Sequence, residues 1–252
     1  YKFKLKQKKE EKMRMEVDTD SVLVPLSVFI AVGYHVFLWN TFKRNPSRTS
    51  LGIDSSRRKS WFREIKEGDD KTGMLAVQSL RNKKMVTILT ATISILILLS
   101  LAAVTNNAFE ASHLITNADN IFFGSQNPTV FVFKYASSSL LLAVSFFFSS
   151  LAVTYLMDAN FLINAIAKKH EGDCDCSYEL TTGTESFREY TRLVLERGFL
   201  MAIVGNRVMC VSLPLLLWMF GPLPVFASSL GLVWVLYQFD FPSIAKISVC
   251  KQ

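Results

Sequence analysis

Residues 85–105 read MVTILTATISILILLSLAAVT, an uncharged run that begins directly after Arg81-Asn82-Lys83-Lys84. A bilayer core about 30 Å thick needs about 20 apolar residues in a helix, so this run is long enough to cross one. Outward from it the same pattern recurs. Val22–Phe42 is a second apolar run, and residues 130–157 form a third whose one charge, Lys134, is expected to snorkel to the interface. Gly198–Phe220 is apolar apart from Asn206 and Arg207. Gly221-Pro222-Leu223-Pro224 is expected to break the helix there. A shorter run, 225–239, follows. The pattern predicts an all-α membrane protein, a bundle of about five transmembrane helices, with four plus a re-entrant segment as the alternative. Residues 21–242 make up the multi-pass domain, between an extension at 1–20, expected to be disordered, and a tail at 243–252.

Composition agrees. Of 252 residues, 50% are hydrophobic and 19% charged, against about 25% charged in a soluble domain. The charge lies in blocks, which excludes a disordered chain and disfavours an ordinary soluble one. Lys and Arg outnumber Asp and Glu by 28 to 21, but the basic blocks flank apolar runs, so anionic lipid is a better partner than nucleic acid. Four cysteines are too few for a disulfide scaffold.

Cytoplasmic loops collect Lys and Arg. Residues 43–84 hold twelve, 106–128 none, 158–197 five, and the tail after Phe239 two. These counts alternate as five crossings require, with the N-terminus outside and the C-terminus in the cytoplasm of a plasma membrane or endomembrane. Residues 1–14, with seven Lys/Arg, oppose that orientation. A start at Met13 or Met15 would leave the mostly acidic MEVDTD outside, and 1–14 is set aside from fold reasoning. No small-residue cleavage motif follows the first run, so a retained anchor is expected.

In the first basic loop, SRRKSWFREIKE (56–67) places Trp61, Phe62 and Ile65 on one helical face, with Arg57, Arg58, Lys59 and Arg63 largely around it. Such a basic amphipathic helix is expected to rest on anionic headgroups at about 1 kcal/mol per basic residue. Ser60 is a candidate phosphorylation site, where added negative charge would weaken that attraction. The plainer reading is a basic flank that only orients the chain. Small residues recur at helical spacing in the spans: Ser138, Ser145 and Ser149; Gly198, Ala202 and Gly205; Ala227 and Gly231. In lipid these let helices approach closely and hydrogen-bond. Ser186 and Glu189 stand at capping-box spacing ahead of the fourth span.

Arg207 is the strongest single signal, roughly 13 Å into the bilayer counting from Gly198. His35 reaches a similar depth, and Asp158, Asn160, Asn164 and Asp240 fall near the same inner interface. His35, Asp158, Asn206, Arg207 and Asp240 are therefore the candidate intramembrane polar cluster: an ion, proton or anion site, or a structural pair locking helices. Cys174 and Cys176, near His170, Asp173 and Asp175, lack the spacing of a zinc site, and no metal or cofactor is expected. G-x-S-x-G, P-loop, G-x-G-x-x-G and H-E-x-x-H motifs are absent, so no enzyme is expected.

Several segments together resemble a family of plant membrane proteins, with bacterial relatives, catalogued as domain of unknown function 599. They are YHVFLW (34–39), NPSRTSLG (45–52), RRKSWF (57–62), AVQSLRN (76–82), MDANFLI (157–163), RGFLMAIVGNR (197–207), WMFGPLP (218–224) and DF (240–241). The resemblance implies a multi-pass architecture and no particular activity. It places Tyr34, His35, Arg48, Arg81, Asn82, Asn206 and Arg207 in recurring segments. The function expected is a non-enzymatic membrane scaffold or lipid- and partner-binding protein, which could self-associate. The alternative is a small oligomeric transporter or channel built on the layer around His35 and Arg207.

Overall fold

A computed structural model describes residues 2–65, 70–114, 128–167 and 183–241. The described elements are all helices: α1 (Lys2–Arg44), a 3-10 turn (Pro46–Arg48), α2 (Ser50–Glu64), α3 (Asp70–Leu114), α4 (Pro128–Ala167), α5 (Gly183–Leu216), a second 3-10 turn (Leu217–Phe220) and α6 (Pro222–Asp240). α1 continues back through the basic extension to Lys2; side chains before Val22 lie outside the described residues.

Among the described residues, five helices are long and apolar enough to cross a membrane: Val22–Arg44, Lys71–Asn107, Val132–Ile166, Glu185–Phe220 and Pro222–Asp240. Only 17–28% of the most apolar window of each is buried within the protein. Phe29, Phe133 and Phe239 are among the large side chains left exposed. Water-soluble proteins rarely expose contiguous apolar patches beyond a few hundred Å². An apolar surface spread over five helices suits lipid.

The last span is longer than its sequence suggests. Gly221 takes φ 130°, a value that favours glycine, and Pro222 opens α6. Pro222 and Pro224 both fall in the first helical turn, where backbone N–H groups have no intrahelical acceptor, so the prolines start the helix and extend it to 19 residues. That is about 28 Å, long enough for a full crossing.

The chain forms two compact units, one of residues 1–55, 99–141 and 210–252, the other of 56–98 and 142–209. In the first, α1 packs on α6. Val24 and Val225 share one buried cluster with Leu215 and Trp218, and Tyr34 and Leu38 share another with Leu236. Early residues meet early ones and late meet late, so α1 and α6 run in the same direction. The turn after α1 is tight. A Cβ on Gly52 would overlap the Pro46 carbonyl oxygen and lie 2.6 Å from its carbon, so only glycine lets α2 start so close to the 3-10 turn. Lys134, expected to snorkel, is instead buried, its Nζ 5.5 Å from the centre of the Trp218 ring. The aromatic face supplies part of the stabilisation that water would have given.

In the second unit, Phe62 of α2 and Ile65 just after it join Ala76 and Leu80 of α3, Leu156, Ala159, Ile163 and Ile166 of α4, and Val194 and Leu195 of α5 in one buried core. Nearer the apolar middle, small polar residues bind the helices. Ser145 Oγ donates to the Gly205 carbonyl (2.8 Å) and lies 3.0 Å from Ser94 Oγ. Gly198 sits against Tyr155 and Leu156. By contrast, Ala227 and Gly231 of α6 are exposed, with nothing within 4 Å of a Cβ at Gly231.

Candidate functional site

The candidate intramembrane residues divide between the units. His35 and Asp240 belong to the first; Asp158, Asn206 and Arg207 belong to the second. Asp158 and Asn206 are exposed, and Arg207 is half-buried. Asp240, at the end of α6, is fully buried and accepts a 2.5 Å hydrogen bond from the Tyr34 hydroxyl. Sequence pattern named Asp240 but not this partner. Tyr34 is one residue from His35, yet a helix turns neighbouring side chains about 100° apart, and it is Tyr34 that bonds to α6. His35 instead directs Nδ1 to the Ala31 carbonyl (2.8 Å), and its buried Nε2 has no hydrogen-bond partner among the described residues. The two rings stand edge to face, centroids 5.4 Å apart.

Removing the tyrosine hydroxyl takes a donor away from a buried carboxylate, which costs about 1–3 kcal/mol. Tyr34→Phe is expected to lower the melting temperature of the detergent-solubilised protein, whereas Val36→Ala on the exposed face of α1 should leave it unchanged.

The expected headgroup-binding face of α2 is used differently. Phe62 and Ile65 are buried in the core of the second unit and Trp61 packs beside it. The apolar face thus seals helices together, and the basic edge stays at the surface. Of that edge, Arg57 and Arg63 are exposed, as is Ser60. Arg58 lies over the Phe199 ring (4.6 Å) and Lys59 stands 3.9 Å from Glu196.

The residue sequence pattern missed is Arg188. Its Nη2 donates to the carbonyls of Ile65 (2.6 Å), Arg63 (3.2 Å) and Phe62 (3.3 Å), and its guanidinium lies 5.6 Å from the Phe62 ring. The last carbonyls of a helix lack intrahelical donors, and one cation here serves two of them and the Ile65 carbonyl just beyond the helix. Nothing local marks Arg188 for this, because its partners lie more than a hundred residues away in the chain. Ser186 and Glu189 do not form the expected cap: α5 already begins at Gly183, and Glu189 pairs with Arg192 instead. His170, Cys174 and Cys176 lie outside the described residues, and among those described no group of three His, Cys, Asp or Glu is placed to hold a metal.

A family model described as "Protein of unknown function, DUF599" matches residues 22–245. No curated protein and no solved structure matches the chain.

Proposed function

Because the chain belongs to the DUF599 family, whose description names no activity, we propose its function from geometry: a non-enzymatic, multi-pass membrane scaffold that engages anionic lipid or acidic partners through a packed basic platform on the cytoplasmic side. The observation that carries this reading is the core shared by Phe62 and Leu80 with Ile163 and Leu195. It joins the connectors 43–84 and 158–197, the two richest in Lys and Arg after the first span. Two segments in one core share one side of the membrane, as the charge rule requires. The parallel run of α1 and α6 supports an odd number of crossings, hence five, with the N-terminus outside and the C-terminus cytoplasmic. Arg57, Arg63, Lys71, Arg81 and Arg197 are exposed on this unit and offer the contact surface.

Photo-crosslinkers placed at Arg57 and Arg63 in native membranes test it. Capture of anionic lipid or of an acidic protein segment, lost when Lys71 and Arg81 are changed to Glu, supports the scaffold. A second reading has one observation in its favour, the buried Nε2 of His35, which has no hydrogen-bond partner among the described residues and suits a proton or ion site. Ion flux into liposomes that disappears in both His35→Ala and Arg207→Ala, with both variants folded, would replace the scaffold by an oligomeric transporter.

A further inference from the structure

In the first unit, where α1 ends beside the end of α6, the surface opens into a cavity of about 510 Å³ lined by Phe37, Asn40, Arg44, Asn45, Arg48 and Tyr237, among others. We propose that this cavity is a binding site for a single anionic phospholipid, its phosphate held between Arg44 and Arg48 and its first acyl methylenes laid on the aromatic wall. The inference rests on α1 and α6 lying in lipid, not on the scaffold reading, whose contact surface is in the other unit.

The cavity lies within the roughly 300–1,000 Å³ range of small-ligand pockets, and its lining is graded. Phe37 and Phe241 have ring centroids 5.8 Å apart, and Phe241 and Tyr237 5.0 Å, so the apolar wall is continuous. Beyond it stand two guanidinium groups and two side-chain amides, with no carboxylate in the lining. Arg44 and Arg48 are exposed, and among the described residues neither has an ion-pair partner. The buried Asp240 nearby accepts from Tyr34 and presents no surface to the cavity.

Two helix ends oppose an anion here, since α1 and α6 both finish at the cavity and each C-terminus carries about half a negative charge. Two terminal-turn carbonyls already have donors, Thr41 from Asn45 N–H (2.8 Å) and Tyr237 from Phe241 N–H (3.0 Å). Two full positive charges against two half-charges leave the cavity cationic. Arginine also matches phosphate bidentately, which a lone charge cannot. A free phosphate would use the rim and leave the aromatic wall bare. A zwitterionic lipid would bring its own cation to the guanidiniums. A phospholipid with net negative charge uses both halves.

The test is native mass spectrometry of the full chain in detergent, titrated with phosphatidic acid, phosphatidylcholine, glycerol 3-phosphate and inorganic phosphate. Phosphatidic acid is expected to bind one per chain. Arg44→Gln/Arg48→Gln should weaken it about 30-fold, as loss of two basic contacts predicts. Glycerol 3-phosphate, lacking buried methylenes, should bind at least about tenfold more weakly. Asn45→Asp places a carboxylate in the lining at a side chain that makes no capping hydrogen bond. It should cut phosphatidic acid affinity about fivefold by charge alone, and it decides the question should the double arginine variant not fold. Affinity within about threefold of the unaltered chain in a folded variant overturns the proposal. So does glycerol 3-phosphate or inorganic phosphate binding as tightly as the lipid, which would make the occupant a free phosphate compound. Crosslinking at Arg57 and Arg63 is unaffected by these changes, so the two readings fail separately.

Discussion

Gly205→Leu is expected to abolish the monodisperse, heat-stable fraction of the detergent-solubilised protein. A Cβ at this position overlaps Ser149 Oγ and comes within 3.0 Å of Ser149 N and 3.3 Å of the Ser145 carbonyl oxygen. Two of those three atoms are backbone of α4 and cannot rotate away. The helices would have to separate, breaking the Ser145 to Gly205 hydrogen bond at the same point. Overpacking of a tight core costs about 1–3 kcal/mol, and losing an interhelical hydrogen bond in lipid adds roughly 0.6 kcal/mol. Gly205→Ala should show the lower part of that range as a fall in melting temperature, and Gly205→Leu the whole of it. Gly33→Ala and Gly231→Ala supply the control. Neither Cβ would meet an atom within 4 Å, and alanine is the better helix former by about 1 kcal/mol. Equal losses at all three glycines would show that the contact at Gly205 is not what holds α4 to α5.

Arg188→Ala is expected to release the end of α2. Three carbonyls, of Phe62, Arg63 and Ile65, lose their shared donor, and hydrogen bonds to a charged group contribute about 1.5–3 kcal/mol. Because one half-exposed guanidinium serves all three, the loss is set at about 2 kcal/mol rather than a threefold sum. The readout is local. Trypsin added to opened vesicles should cut at Arg57, Arg58 or Arg63 in the variant at rates well above those of the unaltered chain, while the spans stay intact. Arg188→Lys keeps the charge but not the fork, and should fall between. Unchanged cleavage in Arg188→Ala would mean that Phe62 and Ile65 hold α2 by burial alone.

The helical spans are legible because lipid imposes one rule on every residue in a window, and a run such as 85–105 satisfies it without reference to any partner. Helix ends are less so. Gly221-Pro222-Leu223-Pro224 contains residues that break a helix in its interior and begin one at its start; only the position of Gly221, at φ 130°, decides between them. The same holds for the apolar face of α2. Its periodicity shows that Phe62 and Ile65 point one way, but lipid and a protein core present the same chemistry to them. Long-range pairing is the least legible. The Tyr34 to Asp240 bond spans 206 positions, and residue types alone draw attention equally to His35, whose side chain points elsewhere. Arg44 and Arg48 read as basic flank until the 3-10 turn folds them around one cavity. Their spacing of four would put them on one helix face, yet the chain between them is not a continuous helix.

Between the 3-10 turn that ends at Phe220 and the start of α6 at Pro222 stands a single residue, Gly221. The ribosome therefore delivers these two hydrophobic segments almost back to back. α6 has the lowest mean hydropathy of the five candidate spans, 1.4 against 1.9 for the segment before it, so it is the weaker substrate for the insertion machinery. With no spacer after the preceding apolar segment, its insertion is expected to depend on that segment. A tag inserted at Gly221 is therefore expected to lower the fraction of chains in which α6 is protected from added protease.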